Sequence, residues 1–395
     1  MPDRDAPARR LSPRILPLAA LVIGHAAADG CINFIPPLWP EFQARLDLTG
    51  TQIGIMSGLF SITTNFGQPL FGYVADRFRI PHMVAVGPLI TGLFIGLMAL
   101  PEHFLLLTLV YMLAGVGTGL FHPPGATLAS RVAGARKGLG MAIFSGGGEI
   151  GYGAGAIIGV LLFERFGWLG LFGATALGGL AGAINLSVNP GGRFPDRETE
   201  QMSLRKHVLP HVRRVAVLFV LVSLRAMVLV VFTNFVALAV REWGESVRAG
   251  AWLIATMIVA GGVGNFLGGW ASDHVGRRNV TVITLILSAP AFWASAQFGL
   301  PAAYVLLPIA GLLSQGAVSV NIIQGQELMP GAQGIASSLT MGLAWGVGGL
   351  FMPLAGAAAD IWGVVPMLIV VGWVPVIAGL LGLLVPERVP MTDED

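Results

Sequence analysis

The chain has 395 residues, of which 54% are hydrophobic and only 11% are charged. This polar content is too small to cover a water-soluble globule of that size, so the composition excludes a soluble protein and indicates one that lies in lipid. The formal net charge of +2 and the single cysteine, Cys31, give no support to nucleic-acid binding, a disulfide or a cysteine-based metal site.

Twelve apolar stretches are long enough to cross a bilayer, because a spanning helix needs about 20 mostly apolar residues. In chain order they cover about 15–40, 51–75, 82–100, 104–130, 138–163 and 166–189, then 213–240, 248–272, 279–298, 302–329, 332–358 and 363–386. The sequence therefore predicts an all-α membrane protein with twelve transmembrane helices.

The chain also repeats itself. A glycine at the end of a long apolar run, followed closely by an acidic residue, recurs at positions 72, 159, 269 and 356. The first and third of these glycines are 197 residues apart, as are the second and fourth. This spacing indicates two duplicated halves, each made of two related three-helix blocks.

Lys and Arg residues orient the predicted helices. Eighteen of the 23 precede helix 1 or follow an even-numbered helix, four lie in the other loops, and Arg225 lies inside the membrane. Because basic residues are enriched in cytoplasmic loops, both termini are predicted to be cytoplasmic. The predicted domains are a cytoplasmic tail at 1–14, a six-helix bundle at 15–189, a cytoplasmic linker at 190–212, a second six-helix bundle at 213–387 and a cytoplasmic tail at 388–395.

A charged motif follows helices 2 and 8, at corresponding places in the two halves. It consists of a glycine, an acid four residues on, a glycine three residues beyond, and trailing basic residues. The second copy is complete, with Gly269, Asp273, Gly276, Arg277 and Arg278. The first copy keeps Gly72, Asp76 and Arg77 but has Arg79 where the last glycine is expected.

Twelve helices in two halves with this motif resemble the major facilitator superfamily across essentially the whole chain. The resemblance implies that the motif forms a cytoplasmic gate, in which Asp76 and Asp273 act with the arginines as a latch between the halves. A glycine near a helix end would let a neighbouring helix approach closely. The alternative is that these residues only cap helices and fix orientation.

Further motifs resemble the fosmidomycin-resistance group of efflux proteins. They are His25-Ala-Ala-Ala-Asp29 in helix 1, Phe121-His122-Pro123 in helix 4, Arg225 in helix 7, the run from Gln326 to Gly331, and the glycine-rich run from Gly342 to Gly349. The resemblance implies a bacterial inner-membrane exporter, although membership of the group does not fix the substrate.

Two acids are predicted to couple transport to protons. His25 and Asp29 are four residues apart, so they share one face of helix 1, about 6 Å apart. An ionisable residue within the membrane is costly unless it is paired or faces water. In the resembled fold helix 1 lines the central cavity, so Asp29, with His25, is the predicted proton site, and Glu149 in glycine-rich helix 5 is a second acid in the cavity.

Arg225 is predicted to bind substrate, because it lies within one residue of the repeat equivalent of Asp29. It would either pair with Asp29 or hold an anionic group by bidentate hydrogen bonds. A structural buried ion pair is the alternative. His122 precedes Pro123 and Pro124, which are expected to break or kink helix 4. It is a second candidate for the substrate site, or a proton carrier or packing residue.

Gln326 and Glu327 end helix 10 and complete the predicted substrate-binding set. They would otherwise form a gate or a solvated helix terminus. The seven histidines show no spacing typical of a metal site, and the chain contains neither a phosphate-binding loop nor a nucleophile motif. The sequence therefore predicts no enzyme, no cofactor and no metal.

The sequence predicts a monomeric secondary transporter that exports a small organic solute by alternating access, in exchange for protons. The solute would be a drug or a metabolite, and an anion if Arg225 binds it. An uptake carrier or uniporter of the same fold is the first alternative. A membrane scaffold or sensor that does not transport is the second.

Overall fold

The computed structural model describes residues 15–78, 82–190, 212–329 and 333–386. The predicted tails at 1–14 and 388–395 and nearly all of the predicted linker lie outside the described residues. Every regular element within them is helical, which confirms the all-α prediction.

Eighteen α-helices make up the described part of the chain. Those of the first half are α1 (Ile15–Ile32), α2 (Trp39–Leu46), α3 (Gly50–Ser61), α4 (Gly67–Phe78), α5 (Met83–Leu97), α6 (Phe104–Val132), α7 (Lys137–Phe166) and α8 (Phe172–Val188). Those of the second half are α9 (Val212–Glu242), α10 (Val247–Val275), α11 (Arg277–Gln297), α12 (Leu300–Gln315), α13 (Val318–Leu328), α14 (Gln333–Ser338), α15 (Ala344–Leu350), α16 (Met352–Trp362), α17 (Val364–Val371) and α18 (Val374–Gly382).

Nine helical stretches of the described residues are long and apolar enough to cross a membrane. One of them, Lys137–Val188, contains two predicted spans, which are separated by a short 3-10 helix that begins at Gly167 with φ +59°. Met83–Leu97 is a shorter apolar helix. The nine stretches support a multi-pass membrane protein, and the number of twelve spans stays a prediction.

Several predicted helices are less regular than the sequence suggests. The second is interrupted by a π-helical segment at Ile62–Phe66, and the eleventh by another at Leu339–Leu343. In contrast, α6 runs without interruption through Pro123 and Pro124. Of the break or kink expected at these prolines, the break is therefore absent. Because α6 is continuous, His122 lies directly one helical turn after Thr118.

Glycines of α7 bring its backbone against α1. A Cβ added at Gly151 would overlap the backbone of Ala26, and one at Gly155 would overlap the backbone of Gly30. Small residues at this spacing let membrane helices pack at close range. The contact matters for function because α1 carries His25 and Asp29.

Replacing Gly151 with alanine is therefore expected to destabilise the protein. Inserting a methyl group into a packed backbone contact costs about 1–3 kcal/mol. Gly146→Ala on the same helix is the matched control, because a Cβ at Gly146 meets nothing within 4 Å. Thermal unfolding in detergent would compare the two, and equal midpoints would contradict the packing described here.

The two halves meet along pairs of helices that come from opposite halves. One pair is α3 and α16, where a Cβ at Gly54 would overlap the backbone of Met352 and one at Gly356 the backbone of Gly50. A second is α7 and α10, where a Cβ at Gly153 would lie 2.9 Å from Val259. At both pairs the two halves therefore pack directly against each other.

Candidate functional site

A cluster of two histidines and one aspartate joins α1 to α6. Nε2 of His25 lies 3.2 Å from Oδ2 of Asp29, and Nε2 of His122 lies 3.3 Å from Oδ1 of the same carboxylate. The Asp29 side chain is 18% exposed, so this charged group lies within the protein and not against lipid. The shared face predicted for His25 and Asp29 is confirmed, and His122 is a further partner that sequence spacing did not connect to it.

Backbone carbonyls hold both imidazole rings from the other side. Nδ1 of His25 is 2.8 Å from the carbonyl oxygen of Phe144 on α7, and Nδ1 of His122 is 2.8 Å from that of Thr118, one turn earlier on α6. The His25 ring also stacks on Phe144, with a centroid distance of 4.2 Å. Both rings are thus fixed with Nε2 directed at Asp29.

His25, Asp29 and His122 form a group of possible metal ligands, although the spacing of the histidines in the sequence predicted no metal site. Their candidate ligand atoms lie within 4.8 Å of one another. Two imidazoles and a carboxylate are groups that a divalent metal ion accepts as ligands. Each carboxylate oxygen faces its own imidazole at a distance that also fits a charge-assisted hydrogen bond, so the geometry is equally that of a proton-holding cluster.

Glu149 lies on α7 at the contact between the halves. Its side chain interacts with that of Asn265 on α10, and a Cβ added at Gly262 would overlap its carboxylate. Ser319 donates its backbone N–H to Oδ1 of Asn265 at 2.9 Å. The second predicted acid is therefore half-buried between helices of opposite halves, one residue after Gly148, whose added Cβ would lie 2.6 Å from the His25 ring.

Arg225 is buried in the second half, with only 1% of its surface exposed. Its Nη1 donates to Oε1 of Gln315 at 2.6 Å, and its guanidinium lies 5.5 Å from the ring centroid of Trp345. Its Nε has no hydrogen-bond partner among the described residues, and no described carboxylate lies within salt-bridge distance. Of the two roles that the sequence left open, pairing with Asp29 does not occur in this structure.

The second copy of the charged motif, which we call the gate motif after its predicted role, makes its contacts within the second half. Asp273 is 3.6 Å from Nη1 of Arg277, and Nε of Arg277 donates to Oε1 of Glu327 at 2.8 Å. Gly276 has φ +90°, a backbone conformation that favours glycine and ends α10. A Cβ at Gly269 would lie 3.0 Å from Ser319, which supports the predicted close approach.

The first copy of the motif is less fully described. A Cβ at Gly72 would only reach ordinary contact with Pro123, at 3.5 Å, so the close approach predicted there is not found. The side chains of Asp76 and Arg77 lie outside the described set, as does the residue Arg79. The half-buried Arg278 follows Arg277 at the start of α11.

Gln326 and Glu327 were predicted to bind substrate. The structure instead brings Glu327 to Arg277 of the gate motif, and Gln326 donates through Nε2 to Oγ of Ser337 at 2.8 Å. These contacts agree with the alternative of a gate. The groups found beside Arg225 are Gln315 and Trp345, which the sequence analysis did not single out because each lies far from Arg225 in the chain.

At the other end of α10, the halves are joined by polar contacts that the sequence analysis also missed. We call this set the outer contacts, because the orientation predicted from the basic residues puts this end outside the cytoplasm. The pairs that cross between halves are Arg241 with Glu41 at 3.4 Å, Arg248 with Glu164 at 2.5 Å, Trp39 with Asn234 at 3.0 Å, Ser57 with Asn234 at 3.1 Å, and Asp360 with the backbone N–H groups of Gly50 at 2.5 Å and Thr51 at 2.8 Å.

The outer contacts and the gate motif lie at opposite ends of the protein. Arg248 is at the start and Asp273 near the end of α10, a helix of 29 residues, which at about 1.5 Å per residue spans the bundle. The outer contacts cross between the halves, whereas the contacts described for Asp273 and Arg277 stay within one half. The two halves are therefore held together at the end where the outer contacts lie.

Comparison with known proteins places the chain in a family. Residues 21–353 match the model of the Major Facilitator Superfamily. An uncharacterized MFS-type transporter of Bacillus subtilis, YfnC, is 27% identical over 98% of this chain and 97% of its own length. The fosmidomycin resistance protein of Escherichia coli is 26% identical over 94% of this chain and 93% of its own length.

Solved structures agree on the fold. A bacterial homolog of the human lysosomal transporter Spinster, in an inward-facing and occupied conformation, has a TM-score of 0.79 at 16% identity and covers 94% of this chain and 97% of its own. A mutant of the nucleoside transporter NupG has a TM-score of 0.79 at 14% identity and covers 94% of this chain and 99% of its own. The chain belongs to the Major Facilitator Superfamily of membrane transporters, which are not enzymes.

Proposed function

We propose that the protein exports a small organic anion from the cytoplasm by alternating access, in exchange for protons. The observation that carries this proposal is the separation of two buried charged sites, one in each half: Asp29 between two histidines, and Arg225 without an acidic partner among the described residues. A buried charge in a membrane protein is expensive unless function needs it.

Arg225 supports an anionic substrate. A buried guanidinium with an unused Nε and a nearby aromatic ring suits a planar carboxylate or a phosphonate, which it can bind through two parallel hydrogen bonds. Gln315 would hold the guanidinium in place through its hydrogen bond to Nη1. The fosmidomycin resistance protein among the relatives makes fosmidomycin, a phosphonate anion, a reasonable first probe.

Asp29 supports exchange with protons, because a carboxylate between two imidazoles in a partly exposed interior site can gain and lose protons as the cavity opens to each side. Glu149 would act as a second acid at the contact between the halves. The gate residues would close the cytoplasmic end when the outer contacts open.

The same proposal includes twelve transmembrane helices in two six-helix bundles at 15–189 and 213–387, both termini in the cytoplasm, and a monomer in the bacterial inner membrane. The bias of basic residues toward one set of loops supports this orientation.

The experiment that tests this function is transport by the purified protein in liposomes. Fosmidomycin and a panel of small organic anions and neutral metabolites would be offered with and without an imposed pH gradient. Transport that depends on the gradient and prefers anions is expected. Transport that persists unchanged after the gradient is collapsed would instead favour a uniporter or uptake carrier.

The outer contacts make a separate prediction about conformation. Asp360 caps the N-terminus of α3 in the opposite half, where a carboxylate is stabilised by free N–H groups. Removing the carboxylate in Asp360→Ala is expected to favour the outward-open state by about 1 kcal/mol, or about fivefold in population, given its solvent exposure.

Spin labels at exposed positions 102 and 297, one in each half near the outer end, would report this change as a larger share of long distances. Glu245→Ala is the matched control, because Glu245 is an exposed acid in the turn between α9 and α10 at the same end. An unchanged distance distribution in Asp360→Ala would exclude the cap as a latch.

A further inference from the structure

We propose that His122 is a proton carrier together with His25, and that the cluster of His25, Asp29 and His122 holds two exchangeable protons when it is fully loaded, one on each Nε2. This inference deepens the proposed exchange with protons and rests on it for its role in transport. It also reassigns His122, which the sequence placed among substrate-binding residues.

Two contacts with backbone carbonyls determine which nitrogen of each ring carries the proton. A carbonyl oxygen can only accept a hydrogen bond, so the 2.8 Å contacts with Phe144 and Thr118 require a proton on Nδ1 of each ring. In a neutral imidazole the other nitrogen then has no proton. Both Nε2 atoms are therefore bare lone pairs whenever His25 and His122 are neutral.

The Asp29 carboxylate faces the unprotonated Nε2 of both rings in this tautomer. Each Nε2 faces one oxygen of Asp29, at 3.2 and 3.3 Å, and an ionised carboxylate offers only lone pairs. Without a proton between them, each of these contacts sets one lone pair against another. Two protons, one in each contact, convert both contacts into charge-assisted hydrogen bonds. The geometry thus provides two equivalent places for a proton around one carboxylate.

Other titratable groups near the cluster do not provide an alternative partner for either Nε2. On α7, Glu149 interacts with Asn265 of the other half, and on α1 the thiol of Cys31 points to the carbonyl of Ala174. Among the described contacts, neither these groups nor Tyr152 on α7 makes a hydrogen bond or ion pair to Nε2 of His25 or His122. The helices α5 and α8, which also pack against α1, contain no titratable residue. Both protons are therefore assigned to the histidine contacts.

The position of the cluster also couples the loss of a proton to the packing of α1 against α6. His25 and Asp29 lie on α1, and His122 lies on α6, so the second contact crosses between helices. Loss of its proton replaces an attraction between α1 and α6 by a repulsion. In the one-proton state the contact within α1 can keep the proton while the contact between helices is released.

Nuclear magnetic resonance of ring-labelled histidine in the full protein, in lipid nanodiscs, tests the proposal directly. At high pH both rings are expected to carry their proton on Nδ1, and at low pH both rings are expected to be doubly protonated. His25→Gln and His122→Gln assign the signals. Across the titration the native protein is expected to lose two protons from this cluster, and His122→Gln only one.

His274 is the matched control within the same protein. Its Nδ1 also contacts the carbonyl one turn earlier, that of Trp270 at 3.0 Å, but no described carboxylate lies at its other nitrogen. Asp29→Asn should change the ring-nitrogen signals of His25 and His122 and leave those of His274 unchanged. Signals of His122 that titrate independently of Asp29 would overturn the proposal.

Three further results would also overturn it: a proton on Nε2 of either ring at high pH, a neutral His122 throughout the range in which His25 titrates, or one equivalent of zinc that copurifies with the native protein and is lost in His122→Gln. Proton exchange is a separate question, which transport measurements answer. If both rings titrate as expected but transport ignores the pH gradient, the proposed function fails and the assignment of protons stands.

Discussion

Asp29→Asn is expected to abolish transport driven by a pH gradient while the protein still folds. Asparagine has the size of aspartate, and its amide can donate to one bare Nε2, so the packing of α1 against α6 and α7 is kept. It cannot take up or release a proton. Uptake of the anionic probe against its own gradient should fall by about 100-fold or more, in line with the loss of an essential proton-transfer group.

Asp47→Asn is the matched control for this change. Asp47 is the same residue type in the same half, but it ends α2 in the left-handed conformation, which asparagine also tolerates. It should transport like the native protein. If Asp29→Asn transports as fast as the control under a pH gradient, Asp29 has no part in coupling.

Arg225→Met is expected to weaken binding of the anion and, at the same time, to stabilise the empty protein. Truncating one partner of a buried charge pair costs about 2–5 kcal/mol, which raises the half-saturating concentration by about 30-fold or more. Without substrate, Arg225 is a buried cation whose Nε has no described partner, so a methionine of similar length removes a desolvation cost.

Transport kinetics and thermal unfolding, each with and without the probe, separate these two effects. Arg225→Lys keeps the charge but cannot bind in a bidentate manner, so it should lose part of the affinity. Arg165→Met is the control, since Arg165 is exposed at the end of α7. A fall in unfolding temperature for Arg225→Met would indicate a structural role, contrary to substrate binding.

The architecture could be predicted from local properties of the sequence. Apolar runs and the 197-residue repeat are visible in the sequence itself, so the all-helical fold followed from them. The glycines of α7 indicated a closely packed helix, but only the structure shows that its partner is α1. The continuity of α6 through Pro123 and Pro124 could not be predicted from local sequence. Proline removes one backbone hydrogen bond, and whether the helix then breaks depends on the packing around it.

The site was predictable only where its parts lie on one helix. His25 and Asp29 are one turn apart, and their contact followed from helical geometry. The partners of Asp29 and Arg225 across helices, His122 and Gln315, are 93 and 90 residues away in the chain. Single-sequence spacing carries no information about such pairs, and the same limit hid Asn234 and Asp360 at the outer contacts.

Proton flux recorded inside liposomes while an outward gradient of the anionic substrate is imposed tests the central claim most directly. An exchanger with Asp29 at its proton site should move protons inward as the anion leaves, raise the acidity of the lumen, and lose this response in Asp29→Asn. Anion efflux from the native protein with no accompanying change in luminal pH would contradict the account.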